Sequence, residues 1–140
     1  MKILIGIDPD VDKSGYAERK GDDITLKNLT FFELFDRLKL IKLQGFDMIL
    51  VVVEAGWLNK SNWHTTKGSN HINAKIGERT GANFETGKKI VEMLEHLDIT
   101  YKTVRPTQRK LDAKRFKMIT GIDYRTNQDC RDALMLIWGM

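Results

Sequence analysis

One cysteine, two prolines and three histidines in 140 residues leave little material for disulfide or soft-metal chemistry. A lone Cys130 excludes an internal disulfide and any zinc site built on clustered cysteines, so stability has to come from packing. No apolar run exceeds six residues, as at Met48 to Val53, about a third of the roughly 20 that cross a bilayer, so no membrane contact is expected. The chain passes from Met1 straight into a strand-like stretch with neither a basic leader nor a cleavage site, and a cytoplasmic location is expected. Phosphate-binding glycine motifs are missing as well. Gly81 and Gly87-Lys88 are separated by five residues and followed by Lys89 where a P-loop needs Ser or Thr, and no G-x-G-x-x-G occurs.

What is present is ordinary globular composition, 41% hydrophobic and 30% charged, at a length that suits one domain over residues 1–140 with a real core. The net charge is +4, and its distribution is uneven. Between Lys102 and Lys117 stand Lys102, Arg105, Arg109, Lys110, Lys114, Arg115 and Lys117 against Asp112 alone, so this segment carries +6 and the rest −2. A basic stripe on a slightly acidic body is the layout of a protein that meets a polyanion on one side, although a solvated helix face has the same look.

Lys2 to Asp8 is a short β-branched run closed by Asp8-Pro9, which predicts a central strand ending at an acid. Tyr16 to Lys20 and Ile24 to Leu29 flank Gly21-Asp22-Asp23 and predict a hairpin. Phe31, Leu34, Phe35, Leu38 and Ile41 recur at helical spacing, with Gly45 beyond. Met48 to Val53 lacks alternation, as suits a parallel strand covered on both faces, and it ends at Glu54. Gly56 to His71 is without period and reads as a loop. A helix is expected from about Asn73 to Leu97 with Ile76, Thr80, Phe84, Gly87, Val91 and Leu94 on one stripe. Then follow a strand from Ile99 to Val104, a helix from Thr107 to Met118 and a last helix from Asn127 to Trp138. This order predicts an α/β fold: a mixed five-stranded sheet, three strands antiparallel and two parallel, with helices on both faces. No repeat or linker divides it.

Asp8 and Glu54 end two inner strands at the carboxyl end of the sheet, where open α/β folds place their sites. Asp129 and Asp132 share one face of the last helix. Packed on the first strand, that face would bring four carboxylates together. Their repulsion calls for cations, and oxygen-only donors select hard ions such as Mg²⁺ or Mn²⁺. Two such ions would support hydrolysis of a phosphodiester. Taken singly, Asp8 and Glu54 also serve as plain strand ends, and Asp129 and Asp132 also suit a positive helix terminus. The combination carries the reading.

Gly6-Ile7-Asp8-Pro9 followed by Ser14-Gly15-Tyr16 resembles the first motif of RuvC-type Holliday junction resolvases. Val52-Val53-Glu54 is similar to that family's second acidic strand end, and Lys75 to Gly81 to its next helix. Pro106-Thr107-Gln108, Ile119-Thr120-Gly121 and Asp129-Cys130-Arg131-Asp132-Ala133 resemble its closing motifs, in the right order over nearly the whole chain. The resemblance implies a ribonuclease H-like fold, two Mg²⁺ ions at Asp8, Glu54, Asp129 and Asp132, a homodimer with two sites, and symmetric nicking of branched DNA at four-way junctions. Three departures stand out. Asp10 replaces a glycine, only Ile122 to Gln128 separates Gly121 from Asp129, and the family's basic residue falls at Phe116, leaving Lys114 or Lys117 to substitute.

Lys110, Lys114 or Lys117 would contact the scissile strand, with Arg109 and Arg115 adding phosphate contacts. In the loop after Glu54, Trp57 with Lys60 either wedges into a junction or packs the loop onto the body, as does Trp63. His64 and His71 lack a third soft ligand, and Cys130 lacks a His-Asn partner set, so all three read as bystanders. Two other functions share these residues: a non-catalytic DNA-binding module, and a nuclease for forks, flaps or RNA/DNA hybrids.

Overall fold

In the computed structural model the described residues are 1–59, 70–107 and 110–140, the side chains of 70–72 excepted. Strands β1 (Lys2–Asp8), β2 (Ser14–Lys20) and β3 (Asp23–Leu29) precede helix α1 (Phe31–Leu43). Strand β4 (Met48–Glu54), a 3₁₀ turn (Gly56–Leu58), helix α2 (Asn70–His96), strand β5 (Tyr101–Val104), α3 (Ala113–Thr120) and α4 (Gln128–Met135) follow. The sheet order is β3-β2-β1-β4-β5, antiparallel on the β3-β2-β1 side and parallel across β1-β4-β5. The expected mixed α/β sheet with helices on both faces is therefore what the chain forms.

Alternation in β1 explains its unbroken apolar run. Ile3, Ile5 and Ile7 face one way and join Leu34, Leu38 and Ile41 of α1 and Ile90 and Leu94 of α2. Leu4 faces the other way and joins Phe116 of α3 and Ala133, Leu134 and Ile137 in and beyond α4. Both faces of the strand are covered, so polar residues have no place in its interior. Each fully buried Ile or Leu contributes roughly 1.5–3 kcal/mol.

Local signals set the element ends. The Thr30 hydroxyl accepts from the Glu33 N–H at 3.3 Å while the Thr30 N–H donates to Glu33 Oε1 at 2.9 Å, a capping box that starts α1. Gly21 adopts φ 60° in the β2-β3 turn, where a side chain would be strained.

Three expectations need correction. The helix read from Thr107 begins at Ala113, because Asp112 Oδ1 accepts from the Arg115 N–H at 2.8 Å and caps it there. Ahead of the cap, the Leu111 carbonyl accepts from Gln128 Nε2 at 3.2 Å and Arg131 Nε at 3.1 Å, which holds the segment against α4 in non-helical form. In α2 the buried positions are Gly87, Ile90, Met93 and Leu94, while Ile76 is 41% exposed. A helix of 27 residues extends about 40 Å, well past a seven-residue strand of about 23 Å, so its first half outruns the sheet. Phe31, assigned to the core face of α1, lies at its rim, 36% exposed.

One buried polar group was not legible in the pattern. Glu18 on β2 is fully buried and takes a bidentate pair from Arg37 of α1, Nη2 to Oε2 at 2.7 Å with Nε on Oε1. The Tyr16 hydroxyl donates to the same Oε1 at 2.6 Å. Burial alone would raise the Glu18 carboxyl, but the hydrogen bonds from Arg37 and Tyr16 and the Arg37 charge outweigh it and hold it below its ordinary value.

Candidate functional site

Parallel pairing of Ile7 with Val53 puts Asp8 and Glu54 side by side at the carboxyl ends of β1 and β4. Helix α4 supplies the other two acids, and two glycines let it approach. A Cβ on Gly6 would lie 2.0 Å from the Ala133 carbonyl oxygen, and one on Gly15 would lie 2.1 Å from that of Asp129. With nothing larger on those strand positions, α4 rests its backbone directly on β1 and β2. The Asn127 side chain accepts from the Cys130 N–H at 2.9 Å and fixes where the helix starts, hence where Asp129 and Asp132 project.

The four carboxylates feel one another. Burial first, then the charges of Glu54, Asp129 and Asp132 against the relief from Lys110, push Asp8 up to about 8. Burial also raises Glu54, with Asp132 and Asp129 adding to it and Lys110 opposing. Asp129 rises by burial and by the charges of Asp10 and Asp132, with Lys110 and Arg79 opposing. The quartet therefore converges at the end of the inner strands.

Lys110 is the cation inside this group. Its Nζ donates to Asp132 Oδ2 at 2.6 Å, and Gln128 Nε2 donates to the other oxygen, Oδ1, at 2.7 Å. Burial pulls the Lys110 ammonium down, but the Asp132 hydrogen bond and the charges of Asp132, Glu54 and Asp8 more than compensate and hold it above its ordinary range. Asp10, the departure next to Asp8, forms part of a separate clasp. Arg79 Nη2 of α2 meets Asp10 Oδ1 at 3.2 Å and Asp12 Oδ2 at 3.1 Å, and the Val11 N–H donates to Asn83 Oδ1 at 2.8 Å. The loop between β1 and β2 is thereby tied to α2.

Two clefts adjoin the acids. One of about 210 Å³ is lined by Glu54, Arg105, Lys110, Asp132 and the apolar Val104 and Leu136. The other, of about 190 Å³, is lined by Asp8, Pro9, Glu54, Trp57, Phe84 and Pro106. Trp57 is half-buried, and a Cβ on Gly87 would lie 2.3 Å from its ring, so the indole sits on α2 in keeping with the packing alternative. Lys114, Arg115 and Lys117 are exposed on α3, which packs on the α4 side through Phe116. Lys60, Trp63, His64 and Arg109 lie outside the described residues, as does the His71 side chain. Sequence reasoning missed Asp10 with Arg79 as a pair, and Gln128 and Arg105 at the site. Asp10 carried a signal as an extra acid two residues from Asp8, and Arg105 as a member of the basic stripe, whereas Gln128 carried none.

The donor set of Asp8, Glu54, Asp129 and Asp132 is oxygen only and fits hard divalent ions such as Mg²⁺ or Mn²⁺ in kind. It is not a closed cage. Among the described residues no three His, Cys, Asp or Glu side chains stand in ready metal-binding arrangement. A cation entering here would compete with Lys110 for Asp132.

No protein-family model matches the sequence, and no curated protein matches it. Among solved structures the chain is similar to RuvC of T. thermophilus in complex with a Holliday junction substrate, at 16% identity and a TM-score of 0.53. That match covers 97% of this chain and 90% of that one. A further structure of Thermus thermophilus RuvC matches at 16% identity and a TM-score of 0.45, over 96% of this chain and 90% of that one. The likeness at a TM-score of 0.53 extends over nearly the whole chain and shows a RuvC-like, ribonuclease H-like fold.

Proposed function

We propose that this chain is a Mg²⁺-dependent, structure-selective DNA endonuclease that hydrolyses phosphodiesters in four-way junctions, acting as a homodimer with one site per copy. The observation that carries the reading is that β1, β4 and α4 bring Asp8, Glu54, Asp129 and Asp132 within electrostatic reach of one another at the carboxyl end of the sheet, where burial first and the neighbouring charges second push Asp8 up to about 8. Burying mutually repelling carboxylates costs stability, which a scaffold without chemistry has no reason to bear. Asp8, Glu54, Asp129 and Asp132 would hold two Mg²⁺ ions, with Mn²⁺ able to substitute, and these would supply an activated water and stabilise the departing oxygen.

The other parts of the site bind and orient. Lys110, whose ammonium donates to Asp132, would contact the scissile phosphate. Arg105, in the cleft beside Glu54, and Lys114, Arg115 and Lys117 on α3 would hold flanking phosphates, with Lys60 and Arg109 adding to them. Trp57, seated on α2, would support the rim of the cleft rather than enter the DNA.

A labelled four-way junction, a fork and an RNA/DNA hybrid, each incubated with and without Mg²⁺, test the reading. Expected are Mg²⁺-dependent symmetric nicks in the junction, abolished in Asp8→Asn while junction binding persists. Cleavage by Asp8→Asn at the wild-type rate would overturn it, and so would inert behaviour on every substrate. Preference for the fork or hybrid would keep the chemistry and change the substrate. Calorimetric titration with Mn²⁺ separates the non-catalytic module, which has no site that depends on Asp8.

A further inference from the structure

Two groups of different kinds hold Asp132. Lys110 Nζ reaches Oδ2 at 2.6 Å on a flexible side chain that is 52% exposed. Gln128 Nε2 reaches Oδ1 at 2.7 Å from one turn earlier on α4. Every polar atom of the Gln128 side chain is engaged: Nε2 also donates to the Leu111 carbonyl at 3.2 Å, and Oε1 accepts from Arg131 Nη2 at 3.2 Å. The amide can lie only this way round, because Leu111 and Asp132 offer acceptors and Arg131 offers a donor. Arg131 is held in turn by Thr126, whose carbonyl and hydroxyl accept from Nη1 at 2.9 Å and 3.0 Å. Oδ1 of Asp132 therefore belongs to a network rooted in α4 and the residue before its cap, whereas Oδ2 has a partner that can swing away.

We propose that Gln128 is a positioning residue that presents Asp132 to a divalent ion through Oδ2 alone, and so biases the site towards Mg²⁺ and Mn²⁺ and against Ca²⁺. The inference rests on the divalent-ion site proposed above and adds a residue that selects among ions without touching one. With Oδ1 retained by Gln128, the carboxylate cannot turn to offer both oxygens without breaking a charge-assisted hydrogen bond. Mg²⁺ takes single oxygens at about 2.1 Å in near-octahedral order, while Ca²⁺, at about 2.4 Å, takes more ligands and commonly both oxygens of one carboxylate. An Asp132 restricted to one oxygen suits the first kind of ion and withholds a ligand from the second. Loss of the Gln128 amide would still leave the Leu111 carbonyl with Arg131 Nε at 3.1 Å, so the segment ahead of α3 keeps an anchor and the effect falls on Asp132.

Calorimetric titrations of the full chain with MnCl₂ and, separately, CaCl₂ test it, with Asp8→Asn marking which heat belongs to the acid site. The wild type is expected to bind Mn²⁺ about tenfold or more tightly than Ca²⁺. Gln128→Met keeps the length of the side chain and removes its donor. It is expected to weaken Mn²⁺ binding about tenfold while Ca²⁺ binding holds or improves, so that the preference shrinks by about that factor. Gln128→Asn keeps the amide but falls one methylene short of Asp132, and the same shift is expected. Circular dichroism and melting without metal check the fold of both variants. A merely structural role would weaken both ions alike, and that result would overturn the assignment, as would an unchanged preference in the two variants. Either of these beside an Asp8-dependent Mn²⁺ site in the wild type would leave the nuclease reading standing. Absence of any Asp8-dependent site in the wild type would overturn both.

Discussion

Lys110 Nζ stands 2.6 Å from Asp132 Oδ2, so the acid quartet already contains one protein-borne cation. Without divalent ions this ammonium offsets the charges of Asp132, Glu54 and Asp8. Lys110→Met is therefore expected to destabilise the metal-free chain. Because the side chain is 52% exposed, water screens the pair and the loss should be about 1 kcal/mol. Added Mg²⁺ should raise the melting temperature of the variant more than that of the wild type. Thermal melts with and without Mg²⁺ measure both.

Asp8 binds its proton more tightly in the folded chain, at about 8, than in the unfolded one, at about 4. Stability of the metal-free chain should therefore fall as pH rises across that interval, since folding resists the charge that the unfolded carboxylate accepts. Asp8→Asn should flatten this slope and melt about 5 °C or more above the wild type at pH 8, with little difference at pH 4. Melting curves at both pH values settle it, and an unchanged slope would mean that Asp8 is not held in a repelling group.

Gly6 and Gly15 have no room for a methyl group. Gly15→Ala would drive a carbon against the Asp129 carbonyl and lift α4 from β2. Expected are a loss of about 2–4 kcal/mol in urea unfolding and the disappearance of Mn²⁺ binding by calorimetry, because Asp129 moves with the helix. Gly121→Ala serves as a contrast: nothing lies near its Cβ, and φ 76° alone should cost about 1 kcal/mol.

The Glu18–Arg37 pair should show the asymmetry of buried ions. Arg37→Met leaves a carboxylate without its partner under α1 and should cost about 3–5 kcal/mol, whereas the double change Glu18→Leu with Arg37→Met should recover most of it. Because the Glu18 carboxyl is held below its ordinary value, the stabilisation it brings is present above about pH 4.5 and is lost as pH falls through its lowered value. Urea titrations of the wild type and the two variants at pH 7 and pH 3 test the pair.

The sheet and both strand-end acids were legible because burial on two faces forces β1 and β4 into unbroken apolar runs that must stop where solvent or chemistry begins. Asp129 and Asp132 were legible as a pair because three residues is nearly one helical turn. Lys110 was read as a member of a helical stripe, and that failed for a tertiary reason: Gln128 and Arg131 of α4 hold the Leu111 carbonyl and keep Lys110 outside α3. Glu18 was hidden because its partner lies 19 positions away on another element. The role of Gly6 and Gly15 was equally hidden, since close approach of a backbone leaves no trace in hydrophobic periodicity. Trp57 offered two readings in the sequence, and the missing side chain at Gly87 decides for packing.

In chain order α4 follows every strand. The residues of all five strands therefore precede the last two aspartates along the chain. Completion of the carboxylate quartet is thus tied to the docking of one eight-residue helix, whose seat on β1 and β2 depends on Gly6 and Gly15.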